Sequence, residues 1–299
     1  MFLVFKILNR LKRYYRYALN ILVRLSWMET FLGLLKLKVY VRGRSQTDSI
    51  CVPITKLGKI NHLIPLVDRG VGLHWIENTV VISIDNRIAI HTSEVDQSSG
   101  DTILEAFFEE EYNFIHSDVA GKSVLDVGAN IGDVAISFCL KGAREVVSLE
   151  PVGPAYGYLE KNIYINQANV TPYNIGLSCI THKETWKIKP YASASASGKN
   201  RNNLRQTRIF DECKVDLMSP EDFHKSVNYK SFDVIKIDCE GYEYEIMNDD
   251  FLDRFQPKLI FIEYHSGPQH LLSLLQAHGF STNLNRKSDK LGIISAKRK

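Results

Sequence analysis

Residues 124–135 read VLDVGANIGDVA, a short apolar run that ends in an acid, passes two glycines and continues in helical residues. A run so short and so apolar fits a strand buried on both faces, which occurs where helices cover both sides of a parallel sheet. Gly128 and Gly132 let the backbone turn sharply out of that strand, and the free N–H groups of the helix that follows can face a ligand. The segment restricts this part of the chain to an α/β architecture. The texture after Gly121 agrees. EVVSLEP, VTPYNIGLS, FDVIKID, KLIFIEYH and LGIISAK read as strands, while VAISFCLKG, a long stretch around 156–166, EYEIMNDDF and GPQHLLSLLQAHG read as helices. Strand and helix in alternation predict a mostly parallel sheet with helices on both faces.

Upstream the pattern is different. From Leu37 to about Glu94, runs such as LKLKVYVRG, TVVISI and RIAIHTS alternate apolar and polar residues between turn formers, including Asp85-Asn86, and predict a small β-rich accessory region. DTILEAFFEEEYNF (101–114) predicts a helix with Ile103, Leu104, Phe107 and Phe108 on one face. Met1 to Leu25 is apolar but interrupted by Lys6, Arg10, Lys12, Arg13, Arg16 and Arg24, which excludes a spanning helix and a secretory signal. At about 100° per residue Lys6, Arg10, Arg13, Arg16 and Arg24 share one side with Asn9 and Asn20, predicting a basic amphipathic helix. Residues 1–25 could contact an anionic membrane surface, or dock on the rest of the protein or on a second copy. The expected organisation is helix over 1–30, accessory region over 31–100 and main domain over 101–299. Five cysteines without CxxC spacing fit a reducing cytoplasm, with a peripheral position at the inner membrane surface as a variant. A net charge of only +3 gives no sign of a nucleic-acid partner.

The chemistry-bearing residues collect at strand ends. Asp126 closes the first strand of the main domain, and the turn after it is GxxxG, with Ala129 and Asn130 where a dinucleotide fingerprint wants its second glycine. A carboxylate there suits a cofactor with a cationic amino group, as S-adenosylmethionine has. Glu150, at the end of EVVSLEP, can accept ribose hydroxyls, or be a solvated strand terminus. KIDCEGYEYEIM (236–247) delivers Asp238 and Glu240 to the same edge, as substrate contacts or as caps of the following helix. The fifth strand ends in Glu263, Tyr264 and His265, adding an imidazole and a further acid. His265 and Asp238 are the candidate bases for deprotonating an acceptor. A divalent metal on Asp238, Glu240 and His265 is a second way to acidify a hydroxyl, but the spacing does not require it and no metal is expected.

In order and spacing, VLDVGANIGDVA, SLEP and KIDCEGYEYEIM resemble the FkbM-type methyltransferases, over about Asp101–Lys299 and including the EEEY segment. The resemblance implies a Rossmann-like class I methyltransferase with a seven-stranded sheet, S-adenosylmethionine as donor, and O-methylation of a sugar, glycan or other small acceptor. It implies further that Asp126, Gly128, Asn130 and Gly132 line the methionine end, Glu150 holds the ribose, and Asp238 and Glu240 lie near the transferred methyl. The residues alone leave two other functions open, a nicotinamide-dependent oxidoreductase and a non-catalytic nucleoside-binding module. ASASAS (192–197) and the cations Lys199, Arg201, Arg205 and Arg208 after it read as a solvated loop.

Overall fold

The structure, a computed structural model, describes residues 38–42, 49–53, 66, 68–76, 79–85, 87–92, 97–108, 119–188, 211–228, 230–286 and 288–299. The expected helix over 1–30, the EEEY segment and the ASASAS loop with its cations lie outside these residues. The chain divides into two compact units between Leu104 and Glu105. Among the described residues no helix is long and apolar enough to cross a membrane.

In the first unit, β1 (Lys38–Arg42) pairs antiparallel with β2 (Ser49–Pro53). Strands β3 (Gly72–Ile76), β4 (Thr79–Ile84) and β5 (Ile88–Thr92) form a second antiparallel sheet. The alternation in TVVISI is the cause: Val80, Ile82 and Ile84 are buried while Thr79, Val81 and Ser83 stay half-buried. Asp85, with φ 50°, sits in the turn that closes the β4–β5 hairpin. Helix α1 (Gln97–Phe108) begins at Gln97 rather than Asp101. Ser98, Ser99 and Gly100 are poor helix formers, so burial of Ile103, Leu104 and Ala106 further along, more than propensity, holds this helix.

The second unit follows an α/β order: β6 (Ser123–Val127), α2 (Asp133–Leu140), β7 (Glu145–Leu149), α3 (Gly153–Asn166), β8 (Val170–Tyr173), then β9 (Gly176–Leu177), β10 (His182–Ile188), β11 (Asp211–Met218), α4 (Pro220–Ser226), β12 (Val234–Ile237), α5 (Glu243–Ile246), α6 (Asp249–Phe255), β13 (Leu259–Tyr264), α7 (Gln269–Ala277), β14 (Phe280–Arg286) and β15 (Gly292–Arg298). Seven strands join in the order β8-β7-β6-β12-β13-β15-β14, parallel from β8 to β13, with β15 antiparallel to both neighbours. This is the mostly parallel sheet expected from the alternation, with the seven strands that the resemblance implies. Alternate residues serve opposite faces: Leu125, Val127, Ile235 and Ile237 pack with Phe223, Phe251, Phe255 and Leu271, while Val124, Val146 and Val234 pack with Val134 and Phe138. The chain leaves β6 toward β8 on one side and β12 toward β13 on the other, so a crevice opens at the C-terminal ends of β6 and β12.

Two readings needed correction, and three strands were missed. VTPYNIGLS is not one strand. It breaks at Asn174, whose side-chain amide donates to Glu150 O at 2.8 Å, and its second part becomes β9 in a separate sheet ordered β10-β11-β9. EYEIMNDDF is two helices, because Asn248 accepts from Phe251 N at 2.9 Å and caps α6. The β10–β11 hairpin and β14 were not anticipated, since HKETWKI buries only Trp186 and Ile188 and its charged alternation masks a strand.

Candidate functional site

At the end of β6 the backbone is stitched to both neighbouring strands. Gly128 N and Ala129 N donate to Leu149 O at 3.0 and 2.9 Å, and Asp238 N donates to Val127 O at 3.0 Å. This close approach requires glycine: a Cβ on Gly128, at φ 82°, would lie 1.8 Å from the Asp238 carbonyl oxygen. Gly132 has another reason. Its missing Cβ faces Leu159 on α3, 2.5 Å from Cδ1, so it serves the packing of α2 and α3. Asn130 takes the left-handed conformation at φ 51°, which turns its N–H onto Glu150 Oε2 at 2.8 Å. Val152 N donates to Glu150 Oε1 at 2.8 Å. Burial pushes the Glu150 carboxyl up to about 7, against the pull of these two N–H bonds. A carboxylate has about four acceptor positions, so the two bonds leave two for a ligand.

Asp126 does not face the crevice unpaired. The parallel register sets Lys236 of β12 directly beside it, and the ammonium lies 3.2 Å from Asp126 Oδ1, 3.0 Å from Gly128 O and 3.8 Å from Asp238 Oδ2. Burial works against the charge on Lys236, but Asp126 and Asp238 hold its pKa above the ordinary value. Asp126 Oδ2 and Asn130 Oδ1 are buried without a hydrogen-bond donor among the described residues. Both atoms keep acceptor capacity at the end of β6.

The other side of the crevice is acidic. Glu240 (φ 53°) and Gly241 (φ 109°) both take left-handed backbone after Asp238. Glu243, at the start of α5, is fully buried and fixes this loop to the end of β13. Its Oε2 accepts from Gly241 N at 2.8 Å; its Oε1 accepts from His265 N at 2.8 Å and lies 3.1 Å from His265 Nδ1. An acceptor-only carboxylate there holds the Nδ1 proton in place, so the proton the ring can give up is the one on Nε2. His265 Nε2 is 3.8 Å from Glu240 Oε2, and its ring can bring a nitrogen within 4.8 Å of carboxylate oxygens of Asp238 and Glu263. Burial alone would lower the imidazole pKa; the hydrogen bond to Glu243 and the charges of Glu243, Asp238 and Glu240 override it and hold the value at about 9. The residues whose ligand atoms gather are Asp238, Glu263 and His265, whereas the metal alternative read from the sequence named Glu240 in place of Glu263.

The family model described as Methyltransferase FkbM domain matches residues 126–282, just over half of the chain. The chain belongs to the FkbM methyltransferase family. No curated protein sequence matches it. Among solved structures, this FkbM-family chain is similar to an O-methyltransferase from Bacillus cereus (14% identity, 69% of this chain and 83% of that one, TM-score 0.40). It is also similar to a ribosomal protein L11 methylase from Lactobacillus delbrueckii subsp. bulgaricus (12%, 69% and 81%, TM-score 0.37) and an rRNA methylase from Streptococcus thermophilus (10%, 63% and 94%, TM-score 0.39).

The structure thus gathers Asp126, Gly128, Asn130 and Glu150 at the ends of β6 and β7, and Asp238, Glu240 and His265 on the other side of the crevice. Two residues escaped the sequence reading. Lys236 was detectable in principle, because a lysine inside the buried run VIKI needs a partner. Glu243 was not, because EYEIM gives no sign of which glutamate turns inward.

Proposed function

We propose that this FkbM-family chain methylates a hydroxyl of a sugar, glycan or related small acceptor, with S-adenosylmethionine as donor. The observation that carries the reading is Glu150, a buried carboxylate pinned by the N–H groups of Asn130 and Val152 so that its remaining acceptor positions suit a pair of ribose hydroxyls. Asp126 Oδ2 and Asn130 Oδ1 suit the amino group at the methionine end. When bound, S-adenosylmethionine supplies a methyl carbon made electrophilic by its sulfonium. The acceptor oxygen forms a bond to that carbon while the carbon–sulfur bond breaks, its electron pair staying on sulfur and the hydroxyl proton passing to a carboxylate or imidazole of the site.

The chain's own task is to align the acceptor and exclude water, which can supply about 7–11 kcal/mol in favourable cases. Asp238, Glu240 and His265 form the acceptor end, where Glu243 orients the His265 ring with Nε2 toward Glu240. Carboxylates crowded around one imidazole favour a neutral hydroxyl and disfavour a polyanion, which supports a small acceptor over nucleic acid. His265→Ala is expected to lower turnover by about 10²–10⁴-fold with donor affinity retained. The first test is calorimetry with S-adenosylhomocysteine, for which heat of one-site binding is expected and none would overturn the reading. Labelled donor incubated with fractionated lipid, glycan and protein extracts then identifies the acceptor class.

A further inference from the structure

We propose that Asp238, Glu263 and His265 hold a divalent cation, of the magnesium or manganese class, at the acceptor end of the crevice. The inference rests on the methyl-transfer reading and specifies how that end of the site would handle a hydroxyl. One carboxylate oxygen from each acid and one nitrogen of the imidazole all lie within 4.8 Å of one another. Two atoms bound about 2.1 Å from one small ion are at most about 4.2 Å apart, so modest side-chain rotation brings the three onto a common centre. Their placement follows from the fold. Asp238 follows β12, Glu263 lies in the last turn of β13 and His265 follows it, and the two strands are parallel neighbours, so all three reach the same sheet edge.

A second observation, outside the triad, concerns the imidazole. Glu243 is fully buried and accepts from the His265 backbone N–H at 2.8 Å, with Nδ1 3.1 Å from the same oxygen. That bond fixes the ring plane and keeps the Nδ1 proton in place, so Nε2 is the nitrogen that can coordinate once a cation displaces its proton. Carboxylate to imidazole to metal is the arrangement by which proteins orient a histidine ligand. Three protein ligands, each only partly buried, leave coordination positions for water or an acceptor oxygen. A hydroxyl coordinated there loses its proton more readily, and Glu240, 3.8 Å from Nε2 and outside the triad, is placed to receive it.

The test is titration of the full-length protein with Mn²⁺, read by the paramagnetic resonance of free ion, beside calorimetry with S-adenosylhomocysteine on the same samples. Native protein is expected to bind one equivalent of Mn²⁺. His265→Ala, Glu263→Gln and Asp238→Asn are each expected to weaken binding at least tenfold, and Glu243→Gln by about 10- to 100-fold, while the nucleoside still binds. Thermal melts identify which variants remain folded, and the comparison uses those. Absence of Mn²⁺ binding, or binding that the folded variants retain, overturns the cation site even where the nucleoside binds. Absence of nucleoside binding overturns the donor reading instead, whatever Mn²⁺ does.

Discussion

The two edges of the central sheet treat their ionisable groups in opposite ways. At the N-terminal edge Asp233 accepts from Ser123 N and Oγ, both at 3.1 Å, and from Lys258 Nζ at 2.8 Å. The Lys258 bond leads, and with the Ser123 bonds it overcomes partial burial to hold the Asp233 carboxyl down at about 2. At the C-terminal edge burial pushes Glu150 up to about 7, and His265 is held at about 9 by the acids around it. A group whose favoured ionisation agrees with its partners stabilises the fold. Asp233 and His265 are held in their charged forms by opposite charges of the chain itself. Burial holds Glu150 against its charged form, and a group so shifted in a crevice is a candidate ligand contact. On the function proposed above, the contrast is between a residue that secures the sheet and residues that would meet a ligand.

The strongest way to break the contrast is at Lys236, which belongs to both classes. Removing its ammonium by Lys236→Ala leaves Asp126 buried and unpaired, with an expected loss of about 3–5 kcal/mol in urea unfolding. Replacing both partners, Lys236→Met with Asp126→Leu, is expected to recover most of that stability, since an apolar pair of similar size is often near neutral. The double variant should still bind S-adenosylhomocysteine poorly, having lost the Asp126 acceptor. A double variant with full affinity would make the pair a purely structural lock.

Glu150 sharpens the contrast next. Its folded pKa, about 7, lies above the unfolded value near 4.5, so its contribution to stability is complete below about pH 4.5 and is lost as pH rises through about 7. Hydroxyl donors prefer the carboxylate, so affinity for S-adenosylhomocysteine is expected to run the other way and rise between about pH 5 and 7. Glu150→Gln is expected to weaken binding by about 10- to 100-fold at pH 8, as loss of bonds to a charged acceptor does, and to flatten this pH dependence. Calorimetry across that range checks both. A native affinity independent of pH would remove Glu150 from the ribose contact.

How much of this the sequence disclosed follows from the range of each interaction. The β6 turn, the acid at the end of β7 and the mostly parallel sheet were legible because short apolar runs, glycines and strand-end acids are local signals, while the count of seven strands came only from the family resemblance. Asp126 was found but its partner was not, because the register that sets Lys236 beside it joins residues 110 positions apart. That Glu263, and not the Glu240 of the metal alternative, lies with Asp238 and His265 was hidden for a related reason. The left-handed backbone at Glu240 and Gly241 decides where that side chain goes, and a non-glycine residue at φ 53° is not foreseeable from residue type. The β10–β11 hairpin was hidden by its solvent-facing charges. Trp186 and Tyr242 both donate to Glu184, at 2.6 and 2.8 Å, tying the hairpin to the loop that carries Glu240.

The smallest effect belongs to the opposite edge. Asp233→Asn keeps the shape of the Ser123 contact and removes the charge facing Lys258. Because the folded pKa is depressed, the stabilisation is present above the unfolded value near 4 and is lost as pH falls toward about 2. The variant is expected to be less stable by about 1–2 kcal/mol at pH 7 and to approach the native protein at pH 2–3. Affinity for S-adenosylhomocysteine per folded molecule should not change, since Asp233 sits at the far ends of the strands from the crevice. Should affinity fall with stability, the two edges are mechanically coupled through β6 and β12, and the division between a securing edge and a waiting edge fails.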